Sequence, residues 1–410
     1  MIKNAILQAT ESTAETVRRH RRHLHRHPEP SFAEIQSGAY ISQALSAMGI
    51  EHTTGWCTNH GAAGIVAHIK GKEPGSHCIA LRADMDALPI HEVDRPHASA
   101  VPGWMHACGH DAHTACLLGA AKVLQSTREH WQGTVQLVFQ PGEEILPGGA
   151  SLMVAEGALA QDAPISGPAA AIAPLVDGIV GQHVYPQLDA GLVGFRSGTY
   201  MAAADEVHIR ILGRGGHAAL PHRTVDPVVA SAHIITALQT VVSRNCDPTH
   251  PAVLTFGRVS GGHARNIIPD EVILDGTLRT YDEDTASVLR TAIQRVAEAT
   301  AAAFGAKAEV DVAIGYPPVI NHPALTDRCR KRAEELLGSD RVVDLPLRMT
   351  GEDFSFYQKK VPGCFYRLGT GGDGPGCRSG LHTAAFDIDE EALKTGTAMM
   401  AWLAVTGGVE

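Results

Sequence analysis

Apolar positions along the first 200 residues switch repeatedly between the helical and the extended period. Ile35, Tyr40, Ile41, Leu45 and Met48 recur at helical spacing and stop at Gly49, a helix-terminating residue. Strand-like runs follow at 64–70 (GIVAHIK) and 77–83 (HCIALRA), then a helical run from Asp111 to about Thr127 and a strand at 134–140 (TVQLVFQ). That order predicts a strand-helix-strand unit with parallel strands and a right-handed crossover. A further apolar strand, GIVGQH, is expected to end at His183.

From residue 205 the pattern changes. Val207, Ile209 and Ile211 alternate with Glu206, His208 and Arg210, as in a strand with one wet face. Asp226-Pro227 reads as an N-cap followed by proline at the first helical position, and Val229, Ala232, Ile235, Leu238 and Val242 continue the helix. Strands near 252–259 and 272–279, a helix capped near Asp282 that runs to about Phe304, and a strand near 307–313 complete the order β-α-β-β-α-β. That is the ferredoxin-like split motif, predicted for residues 198–314. Residues 315–410 return to alternating helices and a strand, ending in a helix from Asp389 to about Ala404. The expectation is therefore an α/β protein: a discontinuous domain of residues 1–197 and 315–410, built on a mixed, largely parallel sheet flanked by helices, with an α+β domain inserted into it.

Composition narrows the chemistry. The 410 residues are 44% hydrophobic and 19% charged, enough to bury a large core. A formal net charge of -10 argues against a nucleic-acid binder. The basic, histidine-rich stretch at 18–27 (RRHRRHLHRH) is read as the solvated face of an amphipathic helix rather than as a ligand cluster. Eight cysteines without CxxC pairs suit reduced thiols, and the Ala5-Ile6-Leu7 run is far too short for a signal-peptide core. A cytoplasmic protein with no membrane span is expected.

Candidate chemistry concentrates at strand ends. MHACGHDAHTA at 105–115 puts Cys108 and His110 two residues apart in front of a helix. Such a pair can aim a thiolate and an imidazole at one metal, the helix N-terminus favouring the thiolate; a structural cysteine beside a satisfied histidine is the other reading. LRADMDALPI places Asp84 and Asp86 after one strand, FQPGEE places Glu143 and Glu144 after another, and His183 ends a third. In an open parallel sheet these loops meet at the carboxyl edge. Consecutive Glu143 and Glu144 diverge from an extended backbone, so one can bind metal while the other moves a proton.

RADMDALPI, MHACGHDAH, FQPGEE, GGHAALPH, GGHARNIIPDEVILDGTLR, TGEDFSFY and LHTAAFD, in that order, resemble the amidohydrolase branch of peptidase family M20, over residues 15 to 400. The resemblance implies a zinc-exopeptidase-like catalytic domain holding two divalent metal ions, Zn first, with Mn, Co or Ni as alternatives. By similarity Cys108 is the ligand shared by both ions, with His110, Glu144, His183 and His382 completing the set. Glu143 is the general base and acid, and Asp86 orients a metal-ligating histidine. Asp84 stands where other branches carry a histidine ligand, which leaves its role open. His217, Asn266, Arg265 and Arg279 match substrate-contacting positions. The inserted domain is expected to form a homodimer or higher homo-oligomer, and the substrate to be a small N-acyl-L-amino acid. A dipeptidase or carboxypeptidase of the same fold, and an inactive metal-binding scaffold, are the alternatives. Gly142, Gln182 and Ala385 depart from the usual pattern and bear on substrate choice.

Overall fold

A computed structural model of the chain describes residues 2–73, 77–159 and 175–407. Positions 74–76, 160–174 and 408–410 of the expected catalytic domain lie outside the described residues. The chain forms two compact units, one of Met1–Gly198, Ile320–Pro346 and Asp353–Glu410, the other of Thr199–Val319 with Leu347–Glu352.

The first unit is built on an eight-stranded sheet in the order Glu51–Trp56, Gly64–Lys70, Thr134–Gln140, Cys78–Asp84, Gly178–Asp189, Gly363–Gly371, Val193–Phe195, Val342–Asp344. Its centre is parallel: Cys78–Asp84 lies between Thr134–Gln140 and Gly178–Asp189, and Gly178–Asp189 runs parallel to Gly363–Gly371. Antiparallel pairs join Gly64–Lys70 to both of its neighbours and Gly363–Gly371 to Val193–Phe195, so the sheet is mixed and largely parallel, as expected. The central strands are mainly apolar and buried on both faces because helices cover them. His110–Ser126 and Ala392–Thr406 pack on these strands and on each other, and Ile2–Arg26 packs on both helices.

Three features differ from expectation. The strand Glu51–Trp56 (EHTTGW) escapes the hydrophobic pattern because it is an edge strand whose residues, Trp56 apart, are exposed or half-buried. The strand expected to stop at His183 runs on to Asp189, because Gly363–Gly371 keeps pairing with it beyond the apolar run. The 18–27 stretch is not a wholly solvated face, since Arg21 and His25 are 1% and 0% exposed. Arg21 Nε lies 2.8 Å from Asp111 Oδ2 and its Nη2 2.7 Å from Asp387 Oδ1, while His25 bridges Asp111 and Glu92. Those acids come from distant segments, so periodicity within the helix carries no sign of them.

The second unit has an antiparallel sheet in the order Val253–Ser260, Glu271–Thr280, Ala203–Leu212, Lys307–Tyr316, the strand order of a ferredoxin-like fold. Val207, Ile209 and Ile211 point into a core shared with Ile234 and Leu238 of helix Pro227–Asn245 and with Leu289 and Ile293 of helix Glu283–Ala303. The caps form as the sequence predicts: Asp226 accepts from the Val228 and Val229 amides, and Asp282 from that of Thr285.

Candidate metal centre

Asp84 and Gln140 are the last residues of adjacent parallel strands and stand opposite each other in register, so the Asp86 and Glu143–Glu144 loops leave the sheet at one edge. Pairing between Cys78–Asp84 and Gly178–Asp189 stops at Arg82 and Gly181, two residues before His183. Cys108 sits in the turn before helix His110–Ser126, where Gly109 takes a left-handed φ of 82°. His382 has a positive φ of 60°, and its amide donates to the Ala107 carbonyl at 2.9 Å, which fixes the last loop against the Cys108 turn.

Six side chains converge there. Cys108, His110 and His183 offer ligand atoms within 4.8 Å of one another, as do Cys108, Glu144 and His382. Cys108 is common to both groups, its Sγ lying 3.5 Å from His183 Nε2 and 3.3 Å from His382 Nε2. His110, Glu143 and Glu144 form a third group within the same limit. All five expected ligands and Glu143 are thus brought together, and Glu143 is only 8% exposed.

Local hydrogen bonds leave ligand lone pairs free. His110 Nδ1 lies 3.0 Å from Asp86 Oδ1, and its buried Nε2 has no hydrogen-bond partner among the described residues. Asp86 Oδ2 accepts from the Glu144 amide at 2.9 Å, so one carboxylate holds two members of the group. His183 Nδ1 donates to the Val184 carbonyl at 2.8 Å, which turns Nε2 toward Cys108. An unpartnered buried imidazole nitrogen costs free energy that a metal ion would recover.

Electrostatics point the same way. Hydrogen bonds to Cys108 and Glu144 push His382 up to about 10. Burial opposes charge on His110, but the Asp84 and Asp86 carboxylates outweigh it and hold that imidazole well above its ordinary value. Burial, then the Glu144 carboxylate, pushes the Cys108 thiol up, so the helix N-terminus alone does not secure a thiolate. The group attracts positive charge, which a divalent cation would supply, favouring the thiolate of Cys108. A thiolate, three imidazoles and a carboxylate suit Zn and its first-row neighbours.

Asp84 forms a further group of potential ligands with His110 and His113, yet both of its oxygens are already engaged by protein donors. Its carboxylate lies 2.5 Å from Arg82 Nη1 and 2.6 Å from His113 Nδ1. Burial favours its neutral form, yet Arg82 and the imidazoles of His110 and His113 hold it well below the usual carboxylate range. His113 Nε2 accepts from the Val184 amide at 2.9 Å, which completes a buried chain from Asp84 to the backbone next to His183. The sequence reading passed over His113, although His110 and His113 in one helical run share a face. Asp353, from TGEDFSFY, was likewise unassigned; it accepts from Arg82, Gln140 and the Ala150 amide beneath the site.

The other named residues belong to the second unit. His217 is on a two-residue strand paired with Ile267–Ile268, and the Ala218 amide donates to the Asn266 carbonyl, so His217 and Asn266 adjoin. Arg265 and Asn266 are exposed. Arg279 is on strand Glu271–Thr280, and burial lowers its pKa.

Residues 80–406 match peptidase family M20/M25/M40. N-acetyl-L-cysteine deacetylase of Bacillus subtilis is 40% identical over 375 residues, 91% of this chain and 83% of that protein. IAA-amino acid hydrolase ILR1-like 2 of Arabidopsis thaliana is 38% identical over 94% of this chain and 83% of its own length. The crystal structure of the Bacillus subtilis YXEP protein, described as a dinuclear metal binding peptidase from the M20 family, superposes with a TM-score of 0.77 at 35% identity, covering 96% of this chain and 98% of that one. With the ordered motifs and the clustered donors, these likenesses lead to one conclusion: the chain belongs to the amidohydrolase branch of peptidase family M20/M25/M40 and is a hydrolase of carbon–nitrogen bonds.

Proposed function

We propose that this protein hydrolyses the amide bond of small N-acyl-L-amino acids. One observation carries the reading: Cys108 belongs to two groups of three potential ligands, and Glu143, grouped with His110 and Glu144, is too buried for a solvated acidic turn. Cys108, His110, Glu144, His183 and His382 would hold two divalent ions, which would supply Lewis acidity for the scissile carbonyl and for activation of a water.

The remaining work falls to the chain. Glu143 removes a proton from the attacking water and returns one to the departing amine nitrogen, since it is close to the site yet is not needed as a ligand. Asp86 fixes the His110 tautomer and the Glu144 backbone. His217, Asn266, Arg265 and Arg279 contact the substrate carbonyl or carboxylate. Residues 198–314 form the lid and dimerisation domain, residues 1–197 and 315–410 the catalytic domain, and the enzyme works in the cytoplasm as a homodimer or higher homo-oligomer. Among the described residues no helix is long and apolar enough to cross a membrane.

The test is turnover of N-acetyl, N-benzoyl and indole-acetyl amino acids with Zn, Mn or Co, for the wild type and Glu143→Ala. The wild type should release amine. The variant should lose at least about 100-fold in kcat while it keeps its metal. No release from any substrate, or normal turnover by Glu143→Ala, refutes the reading.

A second reading is supported by the 35% identity, over 94% of this chain and 93% of its own length, of thermostable carboxypeptidase 1 from Saccharolobus solfataricus. A carboxypeptidase or dipeptidase would prefer dipeptides to N-acyl amino acids, so comparing kcat/KM for the two substrate classes separates the readings.

A further inference from the structure

The segment Glu29–Glu34 (EPSFAE) has no part in the reading above, yet it touches both loops that bring acids to the centre. Its start is fixed on the Asp86 loop: the Ala87 amide donates to the Glu29 carbonyl at 2.9 Å, and Pro30 bridges to Ala87. Ser31 Oγ then donates to Asp86 Oδ2 at 2.7 Å, the same oxygen that accepts from the Glu144 amide. Three residues later Glu34 Oε1 accepts from the Gly142 amide at 2.7 Å, one peptide before Glu143. The Glu29 carboxylate accepts from the Gln36 and Ser37 amides and so ties the segment to the first turn of helix Ile35–Ala47.

Two features of this segment are expensive and have no evident structural use. Phe32 has φ of 61°, in the left-handed region that a bulky residue avoids, and its ring takes the space a side chain at position 142 would need: a Cβ built on Gly142 falls 2.4 Å from Phe32 Cε1. Glu34 is fully buried, and its Oε2 has no hydrogen-bond partner among the described residues. Burial and the nearby Asp86 push the Glu34 carboxyl up to about 8. An apolar residue would fill that space at lower cost.

We propose that Ser31, Phe32 and Glu34 act as a positioning strap for Glu143: Glu34 fixes the preceding Gly142 amide, Phe32 packs over Gly142, and Ser31 braces Asp86. The strap rests on the reading that Glu143 moves the proton. Its residues need touch no substrate; they set the turn from which Glu143 acts, and a displacement of about 1 Å in such a group can lower the rate about 100-fold.

The experiment compares kcat, KM, bound metal and the pH dependence of kcat for Glu34→Ala, Glu34→Gln, Ser31→Ala and Glu143→Ala. Glu34→Ala should lower kcat about 10- to 100-fold with KM and metal content within about twofold of the wild type. Glu34→Gln should recover most of that loss, because its amide oxygen still accepts from Gly142. If Glu34→Ala does not fold, Ser31→Ala carries the test, with a drop in kcat of about threefold or more at constant KM and metal content expected. Wild-type kcat in the folded strap variants, with Glu143→Ala inactive, overturns the strap alone, as does equal damage with loss of metal in Glu34→Ala and Glu34→Gln. Normal turnover by Glu143→Ala instead overturns the reading beneath it.

Discussion

Asp86 Oδ1 lies 3.0 Å from His110 Nδ1, and this contact decides which ring nitrogen of His110 faces Cys108 and Glu144. The other oxygen of Asp86 accepts from the Glu144 amide, so removing the carboxylate loosens two donors at once. Asp86→Ala should weaken metal binding about 10- to 100-fold, measured by competition with a chromophoric chelator. Unchanged affinity would mean that the contact does not orient the ring for a metal.

Cys108 is the point where the two donor groups overlap. Cys108→Ala removes a ligand from both, so bound metal per chain should fall by at least one ion after dialysis, with loss of turnover. Two ions retained by the variant, counted by elemental analysis, would remove the sulfur from the site.

Arg21 is buried against Asp111 and Asp387, and both carboxyls lie well below the usual carboxylate range: burial works against this, while Arg21, His25 and His97 outweigh it. Arg21→Met removes the guanidinium shared by two buried carboxylates, leaving Asp111 with His25 and Asp387 with Arg95 and His97, and should destabilise the protein by about 3 kcal/mol in denaturant unfolding. The sign with pH follows from the depressed values. The stabilisation is complete above the unfolded carboxylate value, about 4, and is lost as pH falls toward the lower folded values. The gap between wild type and variant should therefore shrink in acid; a gap that widens would contradict the pairing.

Glu34 gives the opposite sign. Its folded value, raised to about 8 first by burial and then by Asp86, lies above the ordinary 4.5. The folded protein then holds a proton that the unfolded chain releases, so this contribution is full below about 4.5 and lost as pH rises through about 8. In metal-free protein, stability should decline from pH 5 to 8 by an amount on the order of a few kcal/mol more in the wild type than in Glu34→Gln. Parallel stability curves would show that Glu34 is ionised throughout.

Where one element generates its own signal, the chain is legible by inspection. Val207, Ile209 and Ile211 mark a strand with one wet face, Asp226-Pro227 starts a helix, and the mainly apolar runs of Cys78–Asp84 and Thr134–Gln140 mark strands covered on both faces. Loops that follow adjacent parallel strands share an edge, and for that reason Asp86, Glu143 and Glu144 could be placed near one another before any coordinates. Their ordered motifs did the same for Cys108, His110, His183 and His382. What no local pattern holds is the pairing of groups far apart in the chain. Arg21 and His25 read as solvent-facing because their acids, Asp111, Asp387 and Glu92, come from other segments. Asp84 could not be told from a ligand until Arg82 and His113 claimed its oxygens, and Glu34 had no meaning until its carboxylate met the Gly142 amide. Periodicity and capping act over a few residues and are written along the chain, whereas the partner of a buried charge is fixed only when packing brings distant segments together.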